Sequence, residues 1–272
     1  MTHSPGDIRE LLDRAGASPR RSLGQNFVAD PNTVRRIARL AEIDESSRVV
    51  EIGAGLGSLT LALVETGAEV VAVETDPSLV GVLREVVGDR ARVVEDDARH
   101  LDWASLLGTD GWHLVANLPY NIATSLVLDV LDDVPRIDHL LVMVQKEAGD
   151  RLAATAGQPA YGAVSVRVAM RGVAELVGTV PPTVFVPRPA VTSALVRITR
   201  RSLDLSSDVD ATTRRLLRQA FEQRRKMLRR SLSGAVADDQ FDAAGIAPTQ
   251  RPEELGLDAW LRLASVVCQR GD

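Results

Sequence analysis

The sequence predicts an α/β protein, a mostly parallel sheet with helices on both faces followed by a small all-α domain. Three observations lead there. Short apolar runs alternate with helical patterns from residue 48 to residue 145, the rhythm of a parallel sheet joined by crossover helices. Asp30-Pro31 and Asp76-Pro77 each supply a capping side chain and then a proline at the first helical position. Near Leu203 the composition shifts, and the remaining chain is polar with helical periodicity.

Taken in order, the Asp30 cap opens a helix over residues 31–41. Strands are expected at 48–52, 69–74, 91–95, 113–117 and 139–145, because each run is apolar, β-branched and short. Between them, helices are expected at 58–66, 77–87 and 122–131. Residues 173–180 and 193–199 read as the last strands, separated by the proline-rich stretch 181–189. Helices at 208–222, 225–232, 238–243 and 257–268 make up the second domain, so the division falls at residues 1–202 and 203–272.

Composition narrows the function. Of 272 residues, 45% are hydrophobic, enough for a sizeable core, yet no apolar run approaches the roughly 20 residues that span a bilayer. The first 30 residues carry charges in place of a signal-peptide core, so a cytoplasmic location is expected. The single cysteine, Cys268, and four histidines lack zinc-site spacing, and neither metal nor redox chemistry is expected. The net charge is −5, but its distribution is uneven: eight basic side chains from Arg214 to Arg230 stand against Glu222 alone, a local net of +7. A stripe of that kind suits phosphate, and Arg224, Arg225, Lys226, Arg229 and Arg230 are its candidate contacts.

A cofactor site is written after the first strand. Glu51-Ile52-Gly53-Ala54-Gly55-Leu56-Gly57 leads from that strand into a helix, the setting of a nucleotide-binding turn. Its glycines run G-x-G-x-G, whereas a dinucleotide fingerprint needs G-x-G-x-x-G and an ATP loop ends in G-K-[ST]. Glu51 would repel a pyrophosphate and attract a cationic aminoacyl group, which points to S-adenosylmethionine. Glu74, ending the second strand 21 positions after Gly53, suits two ribose hydroxyls, and Asp97, after the third strand, suits an adenine amino group.

The target site is written at Asn117-Leu118-Pro119-Tyr120, where the fourth strand emerges. Asn117 offers a carboxamide oxygen, Pro119 stiffens the backbone so that the Leu118 carbonyl has a fixed direction, and Tyr120 supplies a ring face. Two acceptors and a platform suit an exocyclic amine on a planar ring. Phe185, in the proline-stiffened loop, is a candidate second wall.

At these residues the chain resembles the ribosomal RNA adenine N6,N6-dimethyltransferases. The likeness runs from Leu23-Gly24-Gln25-Asn26-Phe27 through the glycine turn, Asn117 to Ile122 and Gln145-Lys146-Glu147. It continues over Phe185 to Ala194 and Gln223 to Leu228. The resemblance implies a Rossmann-like class I S-adenosylmethionine-dependent methyltransferase sheet whose last strand is antiparallel. It implies that Gln25, Asn26, Val28, Glu51, Gly53, Gly55, Gly57, Glu74, Asp97 and Asn117 line the cofactor site, with Asn117, Leu118, Tyr120 and Phe185 around the target base. The implied substrate is a pair of adjacent adenosines in a loop near the 3′ end of small-subunit ribosomal RNA, met within an immature subunit by a monomeric enzyme. Val28 stands where leucine is common, Ala190 where lysine is frequent and Glu222 where asparagine is usual; Ala190 removes one possible RNA contact. Two alternatives stay open: a large-subunit RNA methyltransferase of the macrolide-resistance type, and a ribosome-assembly factor whose catalysis is secondary.

Overall fold

The computed structural model describes residues 2–20, 23–108 and 111–269. The chain divides into two compact units, Met1–Asp150 with Ala174–Arg200, and Arg151–Val173 with Arg201–Asp272.

In the first unit, helix α1 (Pro5–Arg14) starts at Ser4, whose hydroxyl and backbone N–H exchange hydrogen bonds with Asp7 in a capping box. A two-residue strand β1 (Phe27–Val28) precedes α2 (Pro31–Leu40), which Asp30 caps as expected. Then β2 (Arg48–Ile52), α3 (Ser58–Val64), β3 (Glu69–Glu74), α4 (Pro77–Val87), β4 (Arg92–Glu95) and the short α5 (Trp103–Leu107) follow. After them come β5 (Trp112–Asn117), α6 (Ala123–Asp133), β6 (Ile137–Gln145) and α7 (Lys146–Ala153); the chain then passes through α8 (Ala163–Ala169), which belongs to the second unit, before β7 (Gly172–Val180), the two-residue β8 (Phe185–Val186) and β9 (Ser193–Arg200).

Seven strands pair in the order β4-β3-β2-β5-β6-β9-β7. The pairings β4 with β3, β3 with β2, β2 with β5 and β5 with β6 are parallel, and β9 runs antiparallel to β6. The order doubles back at β2, so the carboxyl ends of β2 and β5 form a crevice at the switch point, where such sheets take ligands. Helices cover both faces, which is why Val49, Val50, Leu114, Val115, Leu141 and Val142 are all buried and the central strands read as unbroken apolar runs. Separately, β1 and β8 form an antiparallel ribbon with Val28 opposite Phe185, extended by Ala29 N–H donating to the Val184 carbonyl at 2.7 Å.

The second unit is helical: α8, α9 (Ser207–Glu222), α10 (Leu228–Ser231), α11 (Asp238–Ala243) and α12 (Leu257–Cys268). Its core gathers Trp260, Phe241, Leu216, Leu217, Leu228 and Leu263 with Tyr161, Val166 and Met170. Two expectations change here. The division at 202/203 omits residues 151–173, which cluster with the helices because their apolar side chains complete that core and because the Tyr161 hydroxyl donates to the Leu255 carbonyl at 2.8 Å. The helix expected at 225–232 shrinks to α10: residues 223–226 turn, with Lys226 N–H donating to the Gln223 carbonyl, while Leu228 and Arg229 donate to the 248–250 loop. No described helix is long and apolar enough to cross a membrane.

Candidate active site

The turn after β2 depends on two of its glycines. Gly55 has φ 59°, a region costly to other residues, and a Cβ there would sit 2.9 Å from Phe27 Cε1. Gly57, at φ 83°, starts α3, and a Cβ on it would press on Leu83 and Val86 of α4 at 3.1 and 3.2 Å. Gly57 thus seats the helix and does not line the cleft.

Around this turn lies a cleft of about 670 Å³. Residues 23–28 form one wall, Glu51 and Gly53 to Leu56 another, and Glu74, Thr75, Asn117 and Pro119 close it. Of the residues expected to meet a cofactor, Gln25, Asn26, Val28, Glu51, Gly53, Gly55, Glu74 and Asn117 come together here. Asp97 does not: its carboxylate faces the Arg99 guanidinium, 3.1 Å from Nε and 2.5 Å from Nη2, which holds its pKa below the usual range.

The cleft suits a cation, whose arrival would favour the ionised forms of its acids over the neutral forms that burial favours. Among the described residues its lining holds two buried acids and no lysine, arginine or histidine. Burial pushes Glu51 up to about 8, against the hydrogen bond it accepts from Thr60 Oγ1 at 2.6 Å. Burial also raises Glu74, whose two oxygens accept Gly55 N–H at 2.7 Å and Asp76 N–H at 2.8 Å, so this acid braces the glycine turn. The residues fit a sulfonium cofactor with a charged aminoacyl tail. A Cβ on Gly53 would approach only Asn117 O and Pro119 Cδ, both at 3.9 Å, so glycine there keeps the cleft floor open. Ser58 Oγ in the same lining is buried and, among the described residues, has no hydrogen-bond partner.

Residues absent from the sequence-based set hold the wall. Asp76 is buried and accepts from Gln25 Nε2 at 2.9 Å, with the Arg20 guanidinium at 3.3 Å; Gln25 Oε1 in turn accepts Arg20 N–H. The sequence showed Asp76 only as a helix cap. Gly24, at φ 63°, brings the 23–28 segment against the target motif, for a Cβ on it would lie 3.1 Å from Pro119 Cβ.

On the other side of that segment, a second cleft of about 1140 Å³ shares Gly24, Gln25 and Asn26 and adds Tyr120, Asn121, Gln145 and Pro187 to Val191. Asn117 lines the first cleft, and its Nδ2 donates at 2.9 Å to the carbonyl of Asn26, a residue that lines both, which orients the carboxamide. Among the described residues its Oδ1 accepts no hydrogen bond. The Leu118 side chain is buried, so this residue can offer only backbone to the cleft; its N–H donates to the Met143 carbonyl at 3.1 Å. Phe185 lines neither cleft: it packs into the core with Val28, Val34, Leu59 and Leu195.

In the helical unit, Arg225, Lys226, Arg229 and Arg230 are exposed. Arg224 is partly committed, donating to the Pro159 carbonyl at 3.0 Å near Glu253 at 3.6 Å, and Arg214 pairs with Asp210.

The sheet order and the acid-lined cleft define a Rossmann-like class I S-adenosylmethionine-dependent methyltransferase. A family model described as ribosomal RNA adenine dimethylase matches residues 16–269, and the chain belongs to that family. It is 44% identical to ribosomal RNA small subunit methyltransferase A of Cutibacterium acnes over 98% of this chain and 95% of that one. Identity to the protein of the same name from Kineococcus radiotolerans is 45%, over 96% and 90%. Among solved structures, a dimethyladenosine transferase from Plasmodium falciparum superposes with a TM-score of 0.77 at 22% identity, covering 89% and 97% of the two chains. The 23S rRNA methyltransferase ErmE superposes at 0.66 and 25%, covering 89% and 100%.

The raised Glu51 makes stability pH-dependent. Its folded pKa lies above the unfolded value, so its contribution is full below about 4.5 and is lost as pH rises toward 8. Urea unfolding from pH 5 to 8 is expected to show wild-type stability declining relative to E51Q, with a slope of up to about 1 kcal/mol per pH unit. Parallel curves would mean that Glu51 is ionised in the cleft throughout.

Proposed function

We propose that this protein transfers methyl groups from S-adenosylmethionine to the N6 amine of two adjacent adenosines in a loop near the 3′ end of small-subunit ribosomal RNA. It does so as a monomer in the cytoplasm, on an immature subunit. The observation that carries this reading is Asn117: in the wall of the acid-lined cleft, its carboxamide is oriented by the carbonyl of Asn26, a residue shared with the Tyr120 cleft, with Oδ1 left to accept.

The bound cofactor supplies an electrophilic methyl on a sulfonium. The chain's part is to aim the amine. Adenine N6 is a poor nucleophile because its lone pair is delocalised into the ring. Asn117 Oδ1 and the Leu118 carbonyl would each accept one N–H, which draws the nitrogen toward tetrahedral geometry and frees the lone pair to face the methyl. No strong general base is needed, and among the described residues the cleft lining contains no histidine or lysine to act as one. Positioning of this sort can lower a barrier by about 7 to 11 kcal/mol when the geometry is near ideal. Glu51 would meet the cofactor's aminoacyl ammonium, and Glu74, already holding the glycine turn, would accept ribose hydroxyls on its remaining lone pairs. A base inside a helix cannot reach between the two clefts, so the target is a loop or a flipped nucleotide.

The relatives named as small-subunit enzymes, 44 and 45% identical over almost the whole chain, support that target over the large-subunit one. The test is to incubate the protein with labelled S-adenosylmethionine and, in parallel, naked small-subunit RNA, partly assembled small subunits and large-subunit RNA, then map the labelled nucleotides by mass. Label on large-subunit RNA alone would overturn the assignment.

The exposed basic turn is proposed to neutralise phosphates. Reversing Arg225, Lys226 and Arg229 to glutamate is expected to weaken RNA binding. The slope of log K against log salt should flatten by about 0.7 to 0.9 for each lost contact. Filter binding across a salt series reads both; identical slopes would place the RNA elsewhere.

A further inference from the structure

Tyr120 and Ser193 meet hydroxyl to hydroxyl at 2.7 Å. Ser193 opens β9, lies opposite Gln145 of β6 in the ladder and is wholly buried. No other side-chain partner of its hydroxyl is present among the described residues. Tyr120 is half-buried with its ring in the second cleft, and burial raises its phenol pKa, so the group stays a neutral hydrogen-bonding partner. A partner at the tip of a tyrosine fixes the direction of the ring's long axis, which χ1 sets, whereas the hydroxyl oxygen lies on the χ2 axis and leaves rotation about that axis to the packing around the ring. The partner here is mounted on a paired strand, so the place of the ring is set by the sheet.

We infer that Ser193 is a positioning residue that fixes the place of the Tyr120 ring and thereby governs the second methyl transfer. The inference rests on the proposed N6 chemistry. An unmethylated amine presents two N–H groups, and two acceptors, Asn117 Oδ1 and the Leu118 carbonyl, hold it without help. After one methylation a single N–H remains. One acceptor contact is gone, and the orientation of the base depends on the surface against which it stacks. A ring free to tilt should therefore harm the second step more than the first.

Single-turnover time courses on partly assembled small subunits separate the two steps as the appearance of N6-methyladenosine and of N6,N6-dimethyladenosine. For S193A the first rate is expected to stay within about threefold of wild type. The second should fall about five- to tenfold, the range of one lost neutral hydrogen bond, so that the monomethyl product accumulates. Y120F keeps the ring and removes the tip, and it should shift the partition in the same direction, which serves if S193A does not fold. The S193A/Y120F double variant should match the worse single one, because the two hydroxyls act only through each other. Equal slowing of both transfers in S193A, or an unchanged product ratio in both single variants, would overturn the role of Ser193 while leaving N6 methylation intact. A wild-type protein that makes no methylated adenosine would instead remove the proposed function itself, and this inference with it.

Discussion

Asn117→Ala is expected to slow methyl transfer by about 10²- to 10³-fold, the scale seen when one preorganised hydrogen-bonding group is removed from a reacting centre. Cofactor affinity should change far less, since Glu51, Glu74 and the glycine turn remain. The variant loses two contacts: Oδ1, which would accept from the amine, and Nδ2, which donates to Asn26 O at 2.9 Å. Asn117→Asp separates them. It keeps an acceptor but sets a carboxylate against the Asn26 carbonyl, so the side chain should swing away and activity should fall well below wild type. Single-turnover rates with cofactor titration by calorimetry decide the matter. If alanine turned over like asparagine, the amine would have to be aimed by other groups.

The second large effect is structural. Gly55→Val should destabilise the first unit by roughly 2 to 4 kcal/mol, combining the cost of a left-handed backbone with overpacking of a filled site. The residue sits at φ 59°, its new Cβ would meet Phe27 at 2.9 Å, and its N–H donates to Glu74. Cofactor binding should fail with it, because Glu74 loses the turn it braces. Gly16 is the control: it shares the left-handed conformation at φ 58°, but a Cβ added there would meet nothing within 4 Å, so Gly16→Ala should cost about 1 to 2 kcal/mol and leave binding unchanged. Thermal unfolding of both variants separates backbone strain from the clash with Phe27. Equal losses would mean that the aromatic moves aside freely, and adding Phe27→Leu to Gly55→Val should then restore nothing.

Much of the first unit was legible locally. Strands 48–52 and 69–74 and helix 77–87 coincide with the structure, and Asp30 and Asp76 cap their helices as their position before proline implies. These elements carry their own signals: caps, β-branched runs and turn glycines. The short strands β1 and β8 carried none, because two residues have no period and pair only with each other across more than 150 positions. Helices α7 and α8 were equally silent, and the affiliation of residues 151–173 with the helical unit rests on burial of Tyr161, Val166 and Met170, which no local pattern announces. The basic stripe was visible, but not its shape: what reads as a helix over 225–232 is a turn followed by a four-residue helix.

For the site, residue chemistry was enough to choose the cofactor class, since the spacing of the glycines and the acids at Glu51 and Glu74 are covalent facts of the chain. Folding decided the rest. It set Glu74 to brace the turn at Gly55, gave Asp76 and Gln25 the task of pinning the 23–28 wall, tied Asp97 to Arg99 outside the cleft, and withdrew Phe185 into the core. Which oxygen of a carboxylate is already occupied, and which aromatic faces a cavity, depend on partners far along the chain. Sequence spells out the donors and acceptors; only their meeting in space determines which of them are left to act on a substrate.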